Sequence, residues 1–135
     1  MAMTDRETAR TNADSTIRVI KGYLQAMEDR DLAGAASFLS DDFQMHFPGD
    51  QTFHTLDELV SWARPRYQWV KKAYAQFDFC PAGDENVVYC FGTLHGQWPD
   101  GSNFGDIRFI DRFVVRDGLL TNQQVWNDLA EVANR

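Results

Sequence analysis

Cysteine is nearly absent: Cys80 and Cys90 are the two in 135 residues, and they form no Cys-x-x-Cys pair. They fall on consecutive predicted strands joined by "PAGDEN", and folding that hairpin about its middle sets Cys80 opposite Val87 or Val88. A disulfide between them is thereby excluded, and both read as small core residues. No His stands beside either to make a nucleophile. Proline occurs four times, and cationic residues are outnumbered, 13 Lys and Arg against 20 Asp and Glu. The resulting net charge of -7 and pI near 4.8 repel nucleic acid and anionic membrane surfaces. The main basic feature, Arg64, Arg66, Lys71 and Lys72, reads as a solvated helix face. No apolar run is long enough to span a bilayer, and "MAMTDRETARTNADS" holds no signal-peptide core. A soluble, cytoplasmic protein is expected. His46, His54 and His95 show no metal-ligand spacing, so neither metal nor cofactor is expected.

What is present suits one folded domain. The hydrophobic share of 44% and aromatic share of 13% are those of a globular chain, and the length supports a single core. Residues 1–13 read as a polar tail and 14–135 as the domain. Asp14 or Ser15 is placed to cap a first helix, whose apolar stripe is Ile17, Ile20, Leu24 and Met27 with Tyr23 at its edge. Asp31 caps a short second helix. "FQMHF" then alternates, with Phe43, Met45 and Phe47 on one face and Gln44 and His46 on the other. Thr55 and Glu58 form a capping box for a third helix that Pro65 ends. Strands follow at Tyr74–Cys80, Val87–His95, Asn103–Arg116 and Leu119–Trp126, with a short helix after them. Helices first and consecutive antiparallel strands afterwards give an α+β class, a strongly bent sheet wrapped around the N-terminal helices. The strand from Val87 is apolar on both faces, which predicts a homodimer packed sheet to sheet.

The residue that stands out is Asp111. In "FIDRFVVRDG" it shares a face with Phe109, Phe113 and Val115, the single charge pointing inward. A buried carboxylate must be paired, hydrogen-bonded or protonated. If protonated it donates to a substrate oxygen and stabilises an enolate-like charge; if paired it bridges to a cation or an amide.

"VIKGYLQAMEDRDLAGAASFLSDDF", a strand ending in Pro, and "FIDRFVVRDGLLTNQQVWND" together resemble the SnoaL-like branch of the nuclear-transport-factor-two-like superfamily, which has the cystatin-like fold. The resemblance spans about Asp14 to Val132. It implies a cone-shaped α+β roll, often dimeric, with an apolar pocket that serves cyclases, isomerases and many proteins of no known activity. A partial resemblance to ketosteroid isomerase implies Tyr23 as an oxyanion-hole tyrosine and Asp111 as its protonated acid partner. The position of that enzyme's base, just before the proline, holds Phe47. His46 and His54 are the remaining candidates for a catalytic base near neutral pH. The same comparison implies that Asn122, Gln124 and Trp126 face the pocket with Phe43, Met45 and Phe47. Such a lining suits a flat, partly polar molecule. The expected function is a cofactor-independent isomerase- or cyclase-type enzyme acting on a planar carbonyl or phenolic substrate. The alternative is a non-catalytic ligand-binding or dimeric accessory domain of the same fold.

Overall fold

Thr4 opens the first helix with a reciprocal cap. Its hydroxyl accepts from the Glu7 amide at 3.1 Å, and the Glu7 carboxylate accepts from the Thr4 amide at 3.3 Å. The computed structural model describes residues 4–133. In it α1 runs over Asp5–Glu28, so the helix starts well before Asp14 or Ser15 and takes in most of the expected polar tail. Residues 1–3 of that tail lie outside the described residues. Only the second half of α1 carries a buried face, Thr16, Ile20, Tyr23 and Leu24.

The end of α1 bears on the site. The Arg30 amide donates to the Met27 carbonyl at 3.1 Å and the Asp31 amide to the Ala26 carbonyl at 2.9 Å, a Schellman pair. This motif needs a left-handed residue, normally glycine, and Arg30 fills the place at φ 59°. Asp31 also caps α2 (Leu32–Ala36), its carboxylate accepting from the Gly34 amide.

The remaining elements are β1 (Leu39–Phe47), β2 (Gln51–Phe53), α3 (Leu56–Ala63), β3 (Trp69–Ala82), β4 (Glu85–Gln97), β5 (Asn103–Arg116), β6 (Leu119–Asn127) and α4 (Leu129–Ala133). The strands form one sheet in the order β2-β1-β6-β5-β4-β3. Every pairing is antiparallel except β1 with β6. This curled, mainly antiparallel sheet wraps α1 in the α+β roll that the sequence pattern predicts, and Ile20 and Tyr23 pack into a core with Phe43, Val88 and Phe113. Thr55 and Glu58 cap α3 as expected, and Cys80 pairs opposite Val87 but is exposed on the edge strand β3, so of the two cysteines only Cys90 is a core residue. The short β2 and the first five residues of β3 are additions to the sequence-based elements. β2 exists because Gly49 and Asp50, both at positive φ, turn the chain back onto β1.

Two irregularities set side-chain directions. Thr121 is an extra residue in β6, between the pairs Val115–Leu120 and Val114–Asn122. A second bulge interrupts β3 between Tyr74 and Gln76. Gly92 lies opposite it, and a Cβ at Gly92 would sit 1.9 Å from the Ala73 carbonyl oxygen.

Candidate functional site

A cavity of about 140 Å³ opens between α1, α3 and the concave face of the sheet. Leu24, Met27, Phe47, Leu59, Val70, Leu94, Phe109 and Val125 give it an apolar wall. Tyr23, Tyr67, Lys72, Tyr74, Asp111 and Gln123 supply polar groups.

Asp111 is fully buried, as its position between Phe109 and Phe113 on the inward face of β5 requires. Its Oδ2 accepts a hydrogen bond from the Lys72 ammonium, whose side chain keeps 22% of its surface open. Lys72 comes from β3, and so the basic pair Lys71–Lys72 is not a solvated helix face: β3 alternates there, with Lys71 outward and Lys72 inward. Oδ1 of Asp111 has no hydrogen-bond partner. Gln123 lies beside it and favours the carboxylate form, while its own Oε1 accepts from the Tyr23 hydroxyl at 3.3 Å.

Burial raises the Asp111 carboxyl above the usual carboxylate range, and Lys72 and Gln123 oppose that rise only in part. Burial also works against the Lys72 ammonium, yet the adjoining Asp111 carboxylate holds it above the usual lysine range. The arrangement that satisfies both is an ammonium–carboxylate pair, because a lone charge in this cavity would cost several kcal/mol, on the order given for a broken buried pair. Asp111 Oδ2 thus accepts from a cation, a partner that the ketosteroid isomerase resemblance does not imply. Burial raises the Tyr23 phenol and pushes Tyr74 up to about 12, so both remain neutral donors. Cys90, directly opposite Asp111 on β4, is pushed up to about 12 by burial and by that carboxylate. It is inert as a nucleophile.

Tyr23, Phe47 and Asp111 are brought together as the sequence suggests. The other candidates are not. His46 projects from the opposite face of β1, its Nδ1 3.1 Å from the Thr52 hydroxyl. His54 sits at the cap of α3, where its amide donates to Glu58. Neither lines the cavity. Phe43 and Met45 point inward but pack behind it, Phe43 against the Tyr23 ring. Asn122, Gln124 and Trp126 are turned to the other face by the extra Thr121, and Trp126 is 48% exposed. Gln123, Val125 and Asn127 take the places assigned to them. Lys72 and Gln123 are the residues that sequence reasoning missed; for Lys72 the available signal was the Val70–Lys72–Tyr74 alternation. Among the described residues no group of three or more His, Cys, Asp and Glu side chains is placed to hold a metal.

The described residues thus form a curled sheet closed over a helix, with the Lys72–Asp111 pair inside an apolar cavity. The model of the SnoaL-like domain matches residues 20–123, and the chain belongs to that family. No curated protein matches it. Among solved structures it is similar to a nuclear-transport-factor-two-like protein of unknown function from Burkholderia pseudomallei, 19% identical, TM-score 0.72, with 89% of this chain and 95% of that one covered. TerC co-crystallised with polyporic acid is 22% identical, TM-score 0.73, over 89% and 96%. A SnoaL-like polyketide cyclase assignment from Jannaschia is 14% identical, TM-score 0.68, over 99% and 95%.

Proposed function

We propose that the chain binds a planar phenolic or enolisable carbonyl compound in this cavity and acts on it by acid–base chemistry without a cofactor. The observation that carries the reading is Asp111, wholly buried, bonded to Lys72 and left with one free carboxylate oxygen. In the reaction the Asp111 carboxylate takes a proton from the carbon next to the substrate carbonyl, and the C–H electron pair becomes the enolate. The Lys72 ammonium holds the developing oxyanion, with Tyr23 as a second donor. The proton then returns to another carbon, an isomerisation, or the enolate attacks an internal carbonyl, a cyclisation. The fold that this chain shares with TerC, co-crystallised with an organic acid, agrees with an acidic ligand.

A non-catalytic ligand-binding domain is the second reading, favoured because His46 and His54 lie outside the cavity. One experiment separates the two: deuterium exchange at the α-carbon of a bound enolisable ketone, followed by NMR. Exchange that is abolished by Asp111→Asn supports catalysis. Binding without exchange supports the second reading, and absence of binding removes both.

The outer face of the sheet suits a homodimer. Phe91, Ile110 and Trp126 align across β4, β5 and β6 as one exposed row, at 37%, 37% and 48% exposure. Two copies packed face to face bury this row, which leaves each cavity open on the other side of its sheet.

A further inference from the structure

Beside the cavity lies a second depression of about 480 Å³, and Arg30, Val60, Ala63 and Tyr67 line both. Arg64 and Gln68 complete the outer depression. In a chain of net charge -7 this is an unusual place for two guanidinium groups. Among the described residues neither Arg30 nor Arg64 makes an ion pair, whereas Arg108 and Arg116 each find an aspartate. Arg66, the neighbouring cation, is occupied by the Trp62 ring, 4.0 Å from its centroid.

Arg30 carries a second mark. It holds the left-handed position of the Schellman motif, where glycine is favoured and a side chain is a local cost. That backbone conformation sets the side chain at the rim of the cavity. Arg30, Arg66 and Lys72 all act electrostatically on the Tyr67 hydroxyl, whose burial raises it. Arg30 and Tyr67 thus border both the cavity that holds Lys72 and the outer depression that holds Arg64.

We infer that the depression is an anion-binding vestibule, and that the ligand has two parts: a flat apolar body with an ionisable oxygen in the cavity, and a carboxylate or phosphate held outside by Arg30 and Arg64. The inference rests on the pocket reading above and extends it to the substrate class. A guanidinium fork matches two oxygens of either anion, and Gln68 adds an amide donor. The anionic group tethers the ligand, so the polar end of the body is presented to Lys72 and Asp111 in one orientation.

Isothermal titration of naphthol, hydroxynaphthoate and hydroxynaphthyl phosphate tests this on wild type and on the Arg30→Gln/Arg64→Gln double variant. At low salt at least one anionic probe binds wild type about tenfold more tightly than naphthol, an advantage that salt weakens. The double variant loses that advantage by a larger factor than any change in its naphthol affinity, and its circular dichroism spectrum shows that it is folded. The tighter anion identifies the group. Equal affinities in wild type, or an advantage that survives in the double variant, overturn the vestibule and leave the cavity reading standing. No binding of any probe overturns the cavity reading and the vestibule with it.

Discussion

Lys72 reaches Asp111 across a strand that separates them: β3 and β5 both pair with β4 and never with each other. The reach is open because β4 presents Cys90, a small side chain, opposite Asp111 and glycine at position 92. The pair is thus a lateral tie over the concave face.

Removing one partner of this pair is expected to cost far more than removing both. Lys72→Met leaves Asp111 buried and unpaired, a loss of about 3 kcal/mol. The Lys72→Met/Asp111→Leu double variant is expected within about 1 kcal/mol of wild type, because no buried charge remains. Urea unfolding of the two variants and of Asp111→Leu completes the cycle; additive losses would show that the two side chains are not coupled.

The pH dependence of that loss has a definite sign. Burial raises the Asp111 carboxyl, with Lys72 opposing. A raised carboxyl contributes stability below the unfolded value, about 3.9, and loses it as pH rises through the folded value. Without Lys72 the rise is larger, so the deficit of Lys72→Met is smallest near pH 4 and grows toward neutrality. For wild type, burial is the largest influence on Lys72 and lowers it, but Asp111, Tyr74 and Cys90 together hold it above its usual range. Its contribution is complete below about pH 10.4 and declines above it. Unfolding curves from about the unfolded carboxylate value upward check the first statement; a pH-independent deficit would contradict it.

Arg30→Gly is expected to stabilise the fold by about 1 kcal/mol, since glycine takes the left-handed position without a side-chain penalty. The same variant should lose part of the affinity for anionic ligands. Thermal unfolding beside titration reads both effects, and a destabilised variant would mean that the Arg30 side chain holds the helix end.

Trp126→Asp or Ile110→Asp is expected to yield a monomer by light scattering where wild type is a dimer. Each places a charge in the exposed row, Ile110→Asp at its centre and Trp126→Asp at its end. A wild-type monomer at micromolar concentration would remove the face-to-face pairing.

Only one of the two thiols should react with a thiol reagent under native conditions. Cys80 is exposed, while Cys90 is fully buried beside Asp111. Rapid modification of both would place Cys90 on a mobile strand.

The sheet was legible because β5 alternates in the period that strands impose and β4 is apolar on both faces, and Asp111 because it breaks the apolar side of β5. Its partner was not. β3 is largely exposed on both faces, so Val70, Lys72 and Tyr74 lack the contrast that marks an inward side. β6 fails differently. "LTNQQVW" alternates acceptably in either register, and the single extra residue Thr121 decides between them through pairing with β5, a contact distant in sequence. The start of α1 was written in Thr4 and Glu7, but residues 5–12 bury nothing and so carry no periodic signal.

The parallel pairing of β1 with β6 also governs when the protein can become itself. β6 sits between β1 and β5, joining the first strand made to the strands made later. Until β6 leaves the ribosome, β1 and β2 can form only an isolated hairpin beside α1. Gln123 and Val125, the floor of the cavity, arrive with that same strand. The cavity therefore lacks its floor until β6 has docked, and a nascent chain without β6 leaves β1 and β5 with unpaired edges open to chaperones or to neighbours.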